Sequence, residues 1–274
     1  MIPAPFEYKR AATLAEAVDL LAANGEDAKL LAGGHSLLPL MKLRLATPAL
    51  LVDIGRVREL SYVREEGDHV AVGALTRHRD LETSEVLRTH LPLLAHVAGQ
   101  VGDPQVRHRG TIGGSVAHGD PASDLPAACL ALGATFEAVG PNGARSVAAS
   151  ELFKGFLETA LGPDEVLTEI RVPKATGVGW SFQKFNRRAQ DWAIVGVAAL
   201  AGPHPGVAMI NMGPVPLRAT AVEEALVGGA SAAEAAARSA EGLDPPGDLN
   251  ASPEYRRHLA QVLVRRALQE AGVA

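Results

Sequence analysis

Apolar positions along the first sixty residues recur with two different periods, and each change of period marks an element. Leu14, Val18 and Leu21 repeat at helical spacing, with Gly25 standing where that helix would stop. Thr13 with Glu16 three residues later reads as a capping box, in which hydroxyl and carboxylate take up free amides of the first turn. Short apolar runs at 29–32 and 50–54 read as buried strands, and the first leads directly into Gly33-Gly34. Strand-like segments at 61–64 and 69–72 around Glu65-Glu66-Gly67-Asp68 predict a hairpin.

Helices are expected near 77–84 and 91–101, followed by a polar, basic loop from Gly102 to Gly110 that enters a second glycine pair, Gly113-Gly114. A helix over 121–132 and strands over 134–139 and 166–172 complete this region. Pro173 to Gly177 is the best candidate boundary, because proline and glycine punctuate it. Three strand-like runs, 180–185, 192–200 and 207–212, then precede helices at 219–226, 232–239 and 253–271. Ser252-Pro253 supplies an N-cap and a first-turn proline for the last of these. Strands followed by helices indicate an α+β arrangement rather than a repeating βαβ pattern. No repeat of solenoid period is present, and the alanine-rich stretch 230–240 reads as an ordinary helix.

Composition narrows the classes. The 274 residues suit one large domain or two to three small ones, and 47% hydrophobic with 21% charged residues is ordinary for a globular chain that needs no disulfide to fold. The single cysteine, Cys129, excludes an internal disulfide, which fits a reducing compartment, and leaves too few thiolates for an iron–sulfur cluster. A net charge of −5 without any basic run argues against a nucleic-acid partner. The first residues lack a signal-peptide pattern and no apolar stretch is long enough to span a bilayer, so a cytoplasmic location is expected.

The candidate chemistry lies in polar clusters. In Ala32-Gly33-Gly34-His35-Ser36, adjacent glycines let amides approach a ligand, and consecutive amides form an anion site. One such pair alone reads as a tight turn. A second one, Thr111-Ile112-Gly113-Gly114-Ser115 with Arg107 and Arg109 before it, suits a ligand with two phosphates. Neither segment reads GxGxxG, no βαβ unit is expected around either, and no Walker lysine follows.

In His118-Gly119-Asp120-Pro121-Ala122-Ser123-Asp124, the polar side chains are either helix N-caps or partners for sugar or ribityl hydroxyls. One helix start needs one cap, which favours a ligand role for Asp124. A metal at His118 and Asp120 would have too few ligands. The run from Lys184 to Trp192 is a solvated turn or the edge of a site, with Trp192 either core or a stacking surface for a planar group. No catalytic residue stands out: GxSxG, a cysteine–histidine pairing and HExxH are all missing. Electron transfer through a flavin needs little such apparatus.

Taken together, the two glycine segments and the polar run after the second resemble the FAD-binding medium subunits of molybdenum hydroxylases. Aerobic carbon monoxide dehydrogenase is the nearest type, and xanthine dehydrogenases and nicotine- or nicotinate-type hydroxylases share the pattern. The resemblance extends from Pro3-Ala4-Pro5-Phe6 through the C-terminal region. It implies an α+β protein with an FAD-binding fold of the vanillyl-alcohol-oxidase type in two subdomains, 1–55 and 56–174, and a C-terminal α+β domain over 178–274.

Ala32, Gly33, Gly34, His35 and Ser36, with Thr111, Gly113, Gly114 and Ser115, would then wrap the pyrophosphate. Asp120, Ser123 and Asp124 would lie at the hydroxyls of the cofactor, and Lys29 and Lys184 would line the flavin site. Trp192 falls where relatives often carry a tyrosine near the isoalloxazine. Ser115 stands where many have asparagine, a change expected to be tolerated because the backbone makes the contact. The implied assembly joins this chain to a small subunit with [2Fe-2S] clusters and a large subunit with the molybdenum cofactor, as a dimer of heterotrimers. Electrons would pass from the clusters through FAD to an external acceptor. A self-contained flavin oxidoreductase is the alternative, but the hundred or so residues after the boundary are short for a substrate cap.

Overall fold

Three principal sheets, each drawn from one stretch of chain, organise the α+β fold in the computed structural model, which describes residues 2–274. In the first, β1 (Glu7–Arg10), β2 (Ala28–Leu31) and β3 (Leu50–Asp53) run parallel in the order β1-β3-β2. Leu50 is in register with Glu7 on one side and Ala28 on the other. The helix α1 (Leu14–Asn24) buries Ala17, Val18 and Leu21, the face the periodicity predicts. Thr13 Oγ1 accepts from the Glu16 N–H at 3.2 Å, but the Glu16 carboxylate bonds the Ala12 N–H at 2.7 Å, one residue before the expected partner.

A second helix, α2 (Leu37–Lys42), joins β2 to the parallel β3. The first glycine pair therefore sits at the strand-to-helix turn of a β–α–β unit, against the expectation that none surrounds it. Six residues are too few to show a helical period, which is why the unit was not visible in the pattern.

The second sheet has the order β4-β5-β10-β6-β7 and is antiparallel throughout. Its strands are β4 (Val63–Glu66), β5 (His69–Gly73), β6 (Thr135–Gly140), β7 (Gly143–Ala148) and the central β10 (Val166–Pro173). A small ribbon of β8 (Phe153–Gly155) and β9 (Glu158–Thr159) follows α9 (Ala149–Leu152). Between β5 and β6 the chain forms α3 (His78–Thr83), α4 (Glu85–His90), α5 (Pro92–Gly99), α6 (Pro104–Arg109), α7 (Ile112–His118) and α8 (Asp124–Ala131). Leu81, Leu94, Ile112, Val116 and Leu125 from these helices share one core with Val70, Val72, Phe136, Ile170 and Val172 of the sheet. Burial of each such side chain contributes about 1.5–3 kcal/mol.

Three expectations are corrected here. The supposed loop 102–110 holds α6, opened by Asp103 Oδ1 accepting from Val106 N–H at 2.9 Å and by Pro104 in the first turn. The second glycine pair is the first turn of α7, with Thr111 as its cap. The next helix starts at Asp124, and residues 120–123 form the turn before it.

The third sheet is an antiparallel meander of β11 (Trp180–Phe185), β12 (Val195–Leu200), β13 (Gly206–Ile210) and β14 (Leu217–Arg218). The helices α10 (Thr220–Val227), α11 (Ala232–Ala237) and α12 (Pro253–Glu270) follow, the last capped by Ser252 Oγ accepting from Tyr255 N–H at 3.2 Å. Alternation decides which face each strand residue covers. Val195, Val197, Val207 and Met209 pack with Leu259, Leu263 and Val264 of α12, whereas Ala198, Ala208 and Ile210 join the core that contains α8. The sheet is thus buried on both sides, and it locks the C-terminal region onto the helical layer. Trp192 precedes β12 instead of opening it; it lies in the 186–194 connection and is 57% exposed. No helix among the described residues is long and apolar enough to cross a membrane.

Candidate functional site

A cleft of about 680 Å3 opens where the surroundings of all three sheets meet, a volume within the range of small-molecule sites. Its wall includes Lys29, Ala32, Gly33, Gly34, His35 and Ser36 from the first turn and Thr111, Gly113, Gly114 and Ser115 from the second. Ser123, Asp124, Lys184 and Trp192 complete the set that the fold brings together. Asp120 is the one expected site residue that does not reach it. Its Oδ1 accepts from the Ala122 N–H at 2.8 Å, so the carboxylate closes the turn that leads into α8.

The first turn presents donors. Among the described residues, the N–H groups of Gly33, Gly34, His35 and Ser36 donate to no protein acceptor, and bonding resumes with Leu38 N–H to Gly34 O at 3.0 Å. The four residues lie half-exposed or exposed along the wall of the cleft, and consecutive unbonded amides in such a turn make an anion-receptive feature. Gly34 takes φ 80°, the left-handed conformation that glycine adopts without penalty. Gly33 has another reason to be glycine: a Cβ there would stand 2.6 Å from Arg109 O and 2.9 Å from Gly110 Cα. The backbones of the two turns touch at this point.

The second turn is arranged differently. Ile112 N–H donates to Thr76 O at 3.1 Å, Gly113 N–H to Ala74 O at 2.9 Å, and Ser115 N–H to Thr111 O at 3.0 Å. Gly114 N–H donates to the capping Thr111 Oγ1 at 3.2 Å. A Cβ on Gly113 would lie 2.5 Å from Ala74 Cβ and 2.7 Å from Ala74 O, so this glycine permits a close contact with the end of β5. The expectation that the Ser115 backbone makes a ligand contact is therefore corrected. Its amide is engaged in the helix, and the hydroxyl is what remains.

Deeper in the cleft, Lys184 from β11 reaches Asp124 at the start of α8, Nζ to Oδ2 at 2.7 Å, and also donates to Gln100 O at 3.0 Å. Burial pushes the Asp124 carboxyl up to about 6, and the Lys184 ammonium pulls it in the opposite direction. Asp124 Oδ1 is buried without any hydrogen-bond partner. Ser123 occupies the cap position of α8, makes no cap hydrogen bond, and is buried beside it. Together they offer a free hydroxyl and a free carboxylate oxygen, the partners that sugar or polyol hydroxyls require. Cys129 is buried farther along α8, and burial pushes its thiol up to about 12. No cluster of three histidine, cysteine, aspartate or glutamate side chains suited to a metal occurs among the described residues.

Two parts of the wall were missed in the sequence. His78, at the start of α3, is buried against the second turn, where a Cβ on Gly110 would meet its ring at 2.6 Å. Burial lowers its pKa to about 4, helped by the nearby Arg77 and Arg107 guanidinium groups. Nothing local marks His78, because its neighbours in the site are distant in sequence. Leu161-Gly162-Pro163 also lines the cleft, and there the glycine–proline pair was an available turn signal.

Comparison with known proteins covers nearly the whole chain. Residues 4–175 match the family described as the FAD binding domain in molybdopterin dehydrogenase, and residues 180–271 match the CO dehydrogenase flavoprotein C-terminal domain. The carbon monoxide dehydrogenase medium chain of Hydrogenophaga pseudoflava is 45% identical, covering 99% of this chain and 98% of the relative. The xanthine dehydrogenase FAD-binding subunit of Escherichia coli O157:H7 is 30% identical, covering 97% and 96%. Among solved structures, the H. pseudoflava carbon monoxide dehydrogenase that lacks the Mo-pyranopterin moiety of its molybdenum cofactor contains a chain similar at TM-score 0.95 and 47% identity. That similarity covers 99% of this chain and 98% of the other.

Proposed function

The chain belongs to the FAD-binding flavoproteins of the molybdopterin dehydrogenases, and from that premise we propose how its residues hold the cofactor and which assembly it serves. It is an oxidoreductase subunit, the FAD-binding medium subunit of a molybdenum hydroxylase. The observation that carries the assignment is the full-length match, at 45% identity, to a carbon monoxide dehydrogenase medium chain. The cleft fits the cofactor, because unbonded donors and unbonded acceptors lie in one continuous space.

In this reading, the amides of Gly33, Gly34, His35 and Ser36 bind the pyrophosphate, with Ala32 beneath them. Thr111, Gly113, Gly114 and Ser115 form the facing wall, and the Ser115 hydroxyl adds one donor. Ser123 Oγ and Asp124 Oδ1 take hydroxyls of the ribityl or ribose units. Lys184 holds the Asp124 side chain in place and, with Lys29, lends positive charge to the flavin end. Trp192 covers the ring side and limits water there. Bound FAD supplies the chemistry of accepting electrons from one redox partner and passing them to another.

Substrate oxidation belongs, on this proposal, to a large molybdenum subunit, and a small subunit with [2Fe-2S] clusters connects it to this chain in a dimer of heterotrimers. Carbon monoxide is the favoured substrate class, since identity is 45% to that medium chain against 30% to the xanthine-type subunit. The three sheets support a division at 1–55, 56–174 and 178–274. The lone buried thiol supports a cytoplasmic location.

Purification of the chain with its native partners tests the assignment. The preparation is expected to be yellow, with flavin bands that dithionite bleaches, and to retain an iron–sulfur and a molybdenum subunit. A colourless chain that takes up no added FAD would sink it.

A further inference from the structure

Trp192 is not held by its own packing. The side chain is 57% exposed, and it lines both the cleft and an adjoining cavity of about 350 Å3. With space on both sides, the position of the indole follows from its backbone. That backbone is gripped just after the tryptophan. Asn211 Nδ2 donates to Ala193 O at 3.1 Å, and the Arg256 guanidinium donates to Ile194 O while pairing with Asp248 at 2.8 Å.

Both grips are unusual for packing residues. Asn211 holds φ 62°, a conformation few side chains adopt, and its own N–H is tied to Pro121 O at 2.8 Å. Arg256 is 1% exposed, with Nε lacking any partner. Burial of a guanidinium is unfavourable unless pairing and hydrogen bonds offset it. Here two of its nitrogens are directed at Ile194 O and Asp248.

We propose that Asn211 and Arg256 are positioning residues, which clamp the two carbonyls after Trp192 and so set where the indole stands against a flavin. The inference rests on the reading that the cleft takes FAD. Asn211→Gly keeps the left-handed backbone and the bond to Pro121 but deletes the side-chain donor. Arg256→Lys keeps a charge for Asp248 but lacks the fork that reaches Ile194 as well.

The test uses the full-length chain with FAD as the probe and Trp192→Phe to subtract the emission of Trp180. FAD is expected to quench Trp192 in the wild type. Both variants should still take up FAD, change the extent of Trp192-specific quenching from the wild-type value, and shift the flavin reduction potential in the same direction as Trp192→Phe. A variant that binds FAD with wild-type quenching and potential overturns the proposal. So does a wild type that binds FAD without quenching Trp192. Failure of both variants to fold also counts against it, because the side chains would then be requirements of the fold. A wild-type chain that takes up no FAD refutes the cofactor reading instead, before any variant is made.

Discussion

In the turn after β2, which lines the cleft, four consecutive N–H groups have no protein acceptor, while at the start of α7 the N–H groups of residues 112–115 are all bonded within the chain. Both segments are built on a glycine pair, but the glycines answer different demands. Gly34 supplies a left-handed turn that leaves amides exposed, and Gly113 lets a helix press on the backbone of Ala74. On the proposed reading, a phosphate clamp of this kind would be one-sided, with one turn supplying the donors and the other a rigid wall that fixes where they stand. Gly33 joins the two, since it sits directly against Arg109 O and Gly110.

The largest effect should come from the wall. Gly113→Ala places a methyl group 2.5 Å from Ala74 Cβ and 2.7 Å from its carbonyl oxygen, where the nearest atoms include backbone. Overpacking of this sort costs about 1–3 kcal/mol, which for a chain this long lowers the melting temperature by roughly 2–4 °C per kcal/mol. The loss should be fully present in the flavin-free protein. If Gly113→Ala melts with the wild type and only FAD uptake suffers, the second turn is a cradle and the comparison breaks.

A pH series probes the ground between the two turns, where His78 is packed. In the folded chain His78 titrates near 4, against an ordinary 6.5, so its contribution is present above 6.5 and is lost as pH falls through 4. Asp124 behaves in the opposite way. Its carboxyl titrates near 6 rather than 3.8, so its contribution is present below 3.8 and is lost as pH rises through 6. The two trends oppose each other between about pH 4 and 6 in the wild type. His78→Gln removes one of them, and urea denaturation should then show a stability that rises less, or falls more, with pH across that interval than in the wild type. An unchanged pH profile would mean that His78 is not buried neutral beside the second turn.

Much of the fold was legible because long elements declare their period. Leu14, Val18 and Leu21 sufficed for the eleven-residue α1, and Ser252-Pro253 marked the start of α12. Short elements did not show themselves. The six residues of α2 hid a β–α–β unit, and Asp103-Pro104, a start signal in plain view, was absorbed into a basic loop. Trp192 was assigned to β12 because the residues after it are small and aliphatic, yet pairing begins only at Val195. At the site, local rules located the polar run and favoured Asp124, but could not tell that Asp120 stays out of the cleft. Asp120 meets an N–H two residues ahead and closes a turn, whereas Asp124 is turned inward by a lysine sixty residues away. His78 was invisible for the same reason: tertiary contacts alone give it a place.

The smallest effects give the sharpest reading of the asymmetry. Ser36 caps no N–H of α2, and the amide of Ser115 is already engaged, so alanine at either position removes a hydroxyl without disturbing a helix. Flavin-free melting should stay within about 0.5 kcal/mol of wild type for both. FAD binding should separate them. Ser36→Ala removes a hydrogen bond to a charged group beside four amide donors, a loss of about 1.5 kcal/mol, or roughly tenfold in Kd. Ser115→Ala removes one hydroxyl from a wall in which the N–H groups of 112–115 are all bonded within the chain, so no unbonded amide from these residues stands behind it to orient a phosphate, and the loss should be smaller. Titration of flavin-free protein with FAD measures both. A ratio well above one supports a clamp that binds from the first turn, and equal losses would show that the two turns share the phosphate after all.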